Sequence, residues 1–85
     1  MTTVVSLNAE AVRRILDVNN LGSGMLLVEE GKLRIFLDQE PATVLAIHQA
    51  TSELEKATGA VVEIGQKSSL GPAQLVRLEK AGSPI

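Results

Sequence analysis

An α+β fold in a single domain, residues 1–85, is the class this sequence predicts, and three observations predict it. Gly24 to Asp38 reads as a β-hairpin, because the apolar runs Met25 to Val28 and Leu33 to Leu37 flank the charged tip Glu29-Glu30-Gly31-Lys32. Two stretches, 9–20 and about 41–58, repeat apolar residues at helical spacing. Two short β-branched segments, 3–7 and 60–64, have the composition of strands.

Taken in order, Thr3 to Leu7 is the first strand, and Asn8 offers an N-cap side chain to the helix that follows. Ala9, Val12, Ile15 and Leu16 form its inner stripe. Glu10 with Arg14 and Arg13 with Asp17, each four residues apart, mark a solvated outer face. Gly22 is placed to end it in the left-handed conformation.

In the hairpin, a three-residue loop from Glu29 to Gly31 needs only Gly31 in the left-handed region and pairs Val28 with Lys32. A two-residue loop would ask for positive φ at Glu30, which a Cβ resists. The longer loop groups Met25, Leu27, Leu33 and Ile35 on one face, and Leu26, Val28, Arg34 and Phe36 on the other. A slip of one residue would regroup them all.

A second helix starts near Pro41, capped by Asp38 or Glu40, since proline in the first turn sacrifices no hydrogen bond. Its buried arc holds Thr43, Val44, Ile47, Ala50, Thr51, Leu54 and Ala57, while Leu45 projects among polar neighbours. Gly59 stops it, and Ala60 to Ile64 follows with Ala60, Val62 and Ile64 on one side. After the connection Lys67 to Gly71, residues 72–81 open with Pro72 and are followed by Gly82, the punctuation of a short C-terminal helix. Alternation of Gln74, Val76 and Leu78 leaves a fifth strand open as the competing reading.

Strand, helix, strand, strand, helix, strand, helix is the order of the split βαβ or ferredoxin-like plan: an antiparallel sheet, βαββαβ, with two helices on one face. That plan hosts many functions and selects none. The expected core is Val12, Ile15, Leu16, Leu27, Leu33, Ile35, Ile47, Leu54, Val62 and Ile64.

Composition narrows the function. A chain of 85 residues buries only about 60 to 65% of the surface its unfolded form exposes, so modest stability or oligomerisation is expected. Phe36 is the only aromatic residue, which removes the Trp and Tyr anchors usual in tight interfaces. The net charge of −2 disfavours nucleic acid and anionic membranes as partners. Zero cysteine removes thiolate catalysis and Cys-ligated zinc. The N-terminal residues carry no signal-peptide pattern and no apolar run approaches the ~20 residues of a membrane span, which sets a cytoplasmic expectation.

No constellation points to catalysis, a metal or a cofactor. His48, the only histidine, has Thr51 and Ser52 at helical spacing but no carboxylate to orient it. Gly22-Ser23-Gly24 runs from helix to strand, the reverse of a phosphate-binding loop. Lys67, Ser68 and Ser69 lie between a strand and a helix start and form a candidate anion site, though without the order of a P-loop. Glu29 and Glu30 stand about 25 Å from Asp38 and Glu40 along an extended strand, too far for one acid–base site.

The leading expectation is a small non-enzymatic interaction or regulatory module. It would form a homodimer through the open sheet face, with Leu26, Val28, Phe36 and Val61 as its apolar centre and Arg34 at its rim. A binding domain for a small metabolite or anion is the alternative from another class. Nucleic-acid binding ranks lower, because an open sheet with one aromatic ring lacks stacking platforms.

Overall fold

The computed structural model describes residues 9–85. The strand expected over residues 3–7, and with it Val4, Val5 and the Asn8 cap, lies outside the described residues. From Ala9 the order is α1 (Ala9–Val18), β1 (Gly24–Glu29), β2 (Lys32–Leu37), α2 (Val44–Thr58), β3 (Val61–Gln66), a 3₁₀ turn (Lys67–Ser69), α3 (Pro72–Ala81) and a two-residue β4 (Ser83–Pro84).

The fold is α+β, and its sheet is mixed rather than antiparallel. Strand order is β3-β2-β1-β4, with β1 antiparallel to β2 and to β4, and β2 parallel to β3. The ferredoxin-like plan inserts the first strand between the second hairpin strand and the last long one. Here those two strands pair directly, from Lys32 with Val61 to Leu37 with Gln66, so that position is filled.

The hairpin register also differs from the expectation. Glu29 pairs with Lys32 and Val28 with Leu33, leaving a two-residue loop of Glu30 and Gly31. Positive φ falls on Gly31 alone, at 65°, so Glu30 avoids the strain that argued against the short loop. Negative φ followed by positive φ is the sign pattern of a type II turn. The one-residue slip regroups the faces: Leu26, Val28, Leu33 and Ile35 share one, and Met25, Leu27, Arg34 and Phe36 share the other. Gly24, at the start of β1, is fixed by close approach, because a Cβ there would collide with the Phe36 carbonyl oxygen and meet Leu37 Cα at 2.9 Å.

Both faces are buried. On the first, α1 and α2 pack Val12, Leu16, Ala50 and Leu54 against Leu26, Leu33, Ile35, Leu37 and Val62, with Ile15, Ile47 and Ile64 half-buried at the margin. On the second, α3 closes a smaller layer in which Leu78 meets Leu27 and Phe36, flanked by Met25, Leu70 and Leu75. The helical reading of 72–81 therefore holds, and the face expected to stay open is covered over β1 and β2.

Helix ends follow local chemistry. Gly22 is left-handed as expected (φ 76°), but the residue that closes α1 is Asn20, also left-handed (φ 58°); its N–H reaches the Asp17 carbonyl and that of Leu21 the Leu16 carbonyl, a Schellman ending that buries Leu21. The start of α2 lies at Thr43, whose hydroxyl accepts the Ala46 N–H at 3.1 Å, and neither Asp38 nor Glu40 is the cap. Gly59 ends α2 with φ 73°.

Candidate interaction surface

The residues expected to form one apolar interface do not share a face. Leu26 is buried under α1 and α2, and Val28 projects from the same side of the sheet at the hairpin end, exposed. Arg34 and Phe36 lie on the opposite side. Phe36 is only 7% exposed, beneath α3, with the Arg34 guanidinium 5.2 Å from its ring centroid. The one aromatic ring is thus engaged within the fold and not offered as a stacking platform. Val61 is exposed at the first position of β3.

Around Arg34 the α3 side of the sheet carries a chain of ion pairs. Lys32 Nζ lies 3.0 Å from Glu63, Arg34 bridges Glu29 and Glu63 at 3.5 Å each, and Arg77 from α3 donates to Glu29 at 2.6 Å. The Arg34 Nε is buried and faces Glu63 without the alignment of a hydrogen bond. Partly exposed pairs of this kind are worth about 0 to 1 kcal/mol each, so they orient α3 more than they hold it. Glu29, at the charged tip of the hairpin, is the point where the hairpin and α3 meet.

At the far end of the sheet Lys67 pairs with Asp38 at 2.8 Å, and Ser23 donates a hydrogen bond to the same carboxylate at 3.1 Å. The Asp38 carboxyl is held below its ordinary value chiefly by the hydrogen bond from Lys67; desolvation opposes this, and the hydrogen bond from Ser23 and the charge of Lys67 lower it further. The lysine of the candidate anion loop is therefore engaged with this carboxylate in the structure. Ser68 and Ser69 complete the 3₁₀ turn, and Ser69 lines an open groove of about 460 Å³ with Leu37, Pro41, Thr43, Val44 and Gln66. Asp38 and Glu29 sit at opposite ends of the hairpin, as the strand length requires.

His48 is exposed on α2 and lines a second groove with Thr51, Arg34, Ile64 and Gly65. Thr51 commits its hydroxyl to the Ile47 carbonyl at 2.8 Å, so it does not serve the imidazole as a donor. Among the described residues no group of three or more His, Asp or Glu side chains is arranged to hold a metal ion, and no helix is long and apolar enough to cross a membrane.

The surface that sequence reasoning missed runs along β3. With β2 on one side, its other side carries no strand among the described residues. The Val61 N–H points inward, to the Gly31 carbonyl at 3.2 Å. Backbone groups alternate along a strand, so Glu63 and Gly65 also face β2, while Val62, Ile64 and Gln66 turn theirs outward. The outward Val62 N–H is taken by the Glu55 carboxylate of α2 at 3.2 Å. Glu55 belongs to a stripe with Val44, His48 and Thr51, whose spacing places all four on one side of α2, above this edge. Val44, expected in the buried arc, is 67% exposed there, and its neighbour Leu45 is 64% exposed. The signal for this surface in the sequence is Gly65, a glycine within a strand. Compared with protein-family models, with curated proteins and with solved structures, the chain matches none.

Proposed function

We propose that this chain is a small non-enzymatic interaction or regulatory module that acts as a homodimer, with the cytoplasm as its working compartment. The observation that carries the reading is the outer edge of β3, where the backbone groups of Ile64 and Gln66 face outward with no strand beside them among the described residues, next to exposed Val44. A sheet edge with no strand beside it among the described residues is a template for another strand. The reading moves the contact away from the sheet face expected from sequence, since α3 covers that face and buries Phe36. A cysteine-free chain needs no oxidising environment to fold, in keeping with the compartment.

Sedimentation equilibrium tests the reading directly. At high micromolar concentration the expected mass is twice the 9.0 kDa of the chain, and a mass of one chain at every concentration would end it. The groove beside Ser69 favours the alternative, a binding domain for a small metabolite or anion. A monomer whose melting temperature rises with phosphate or sulfate would select that reading instead.

A further inference from the structure

We infer that β3 pairs antiparallel with β3 of a second copy about a two-fold axis through Ile64, joining the two four-stranded sheets into one. The inference rests on the homodimer reading above and adds where the copies meet and in what register.

Gly65 is the residue that points there. A glycine inside a strand weakens it and often marks the place where another backbone comes close. Among the described residues nothing requires a glycine at this position: its φ is not left-handed, and a Cβ built on it would meet only the Phe36 ring edge, at 4.0 Å. By contrast, Gly24 is demanded by the neighbouring backbone.

The register follows from which residues face out. In a symmetric antiparallel pair, outward-facing residues must stand opposite one another, which within β3 allows axes at Glu63, Ile64 or Gly65. An axis at Glu63 sets two glutamates directly opposite each other, where like charges repel. An axis at Gly65 runs β3 past the end of the other strand, onto the 3₁₀ turn that begins at Lys67. An axis at Ile64 pairs Val62 with Gln66 and overlaps the strand from 62 to 66. In this pair the Gln66 carbonyl of the second copy replaces the Glu55 carboxylate as acceptor of the Val62 N–H. It also puts Glu63 opposite Gly65, the one residue with no side chain to meet it.

The flanking chemistry agrees with that choice. Glu63 keeps its own counterions, Lys32 and Arg34, on the α3 side of the sheet. Ile64 meets its copy on the α2 side, where the two α2 stripes of Val44, His48 and Thr51 come side by side. Glu55, at the Val62 end of the edge, stands near Gln66 of the second copy, whose side-chain amide is a donor the freed carboxylate can accept from.

Two substitutions at Gly65 separate this register from any other contact. Gly65→Glu places a carboxylate opposite Glu63 of the second copy, and Gly65→Lys places an ammonium there. A Cβ at this position meets no described atom closer than the Phe36 ring edge, at 4.0 Å. The dimer dissociation constant should rise on the order of tenfold for Gly65→Glu, from two symmetric repulsive contacts, and stay within about threefold of the parent for Gly65→Lys. Gln66→Pro serves if either fails to fold, since its N–H faces away from β2 and a proline on an open edge breaks no internal bond; it should abolish the dimer. A dimer that all three variants leave equally intact would overturn the edge register while leaving self-association standing. A parent that is monomeric throughout would defeat the reading beneath both.

Discussion

Leu54→Ala is expected to cost about 2 to 5 kcal/mol, the range for deleting a fully buried leucine from a packed core. Leu54 has no exposed surface and sits on the inner stripe of α2, in the cluster with Val12, Leu16 and Ala50 from the helices and Leu33, Ile35 and Val62 from the strands. It therefore joins α1, α2 and the parallel pair β2 and β3. An 85-residue domain is stable by roughly 4 to 13 kcal/mol, so the loss would consume a large share of the total. Urea denaturation at a low, fixed protein concentration, where dimerisation adds little, reads the change. A difference below about 0.5 kcal/mol would show that α2 presents another face to the sheet.

Phe36→Glu should be comparably severe, at about 3 to 5 kcal/mol, and for a different reason. The ring fills the layer between the sheet and α3, against Leu27 and Leu78, and the guanidinium above it already pairs with Glu29 and Glu63. A carboxylate there would lose the apolar packing and face two acidic side chains drawn to the same arginine. Loss of helical circular dichroism, as α3 detaches or the chain unfolds, is the expected result. A variant that keeps the parent's spectrum and denaturation midpoint would mean that α3 is not packed on this face.

These two residues also show what is legible in the sequence. Leu54 lies on a clean helical stripe beneath one covered face, so its burial follows from residue spacing alone. Val62 and Ile64 alternate as a half-covered strand should, and Pro72 with Gly82 brackets α3 correctly. Placing Phe36 on an open face fails for a physical reason. Leu26-Leu27 and Ile35-Phe36-Leu37 are apolar on both sides of their strands, since α3 covers one face and α1 with α2 the other. When both faces are buried, the period-two signal that sets register disappears.

Parallel pairing of β2 with β3 has no local signature at all. It joins residues about 30 positions apart in the chain, through a helix that fits other topologies equally well. The contact from Glu55 to the Val62 N–H spans a helix end and a turn, and no periodicity announces it. Pro41 hides Thr43 as a cap, because a proline signals a helix start and here stands two residues too early. The edge of β3 becomes visible only once its partner strand is known, because an edge is defined by what does not lie beside it.

Amide hydrogen exchange at Ile64 and Gln66, followed as the protein is concentrated, tests the edge pairing most directly. These two N–H groups face away from β2, so in a single chain they have no ladder partner among the described residues. Pairing about Ile64 predicts that both slow markedly from low to high micromolar protein, while buried amides such as that of Leu54 show no comparable dependence. Exchange at Ile64 and Gln66 that is the same at every concentration, whether fast or slow, would contradict it.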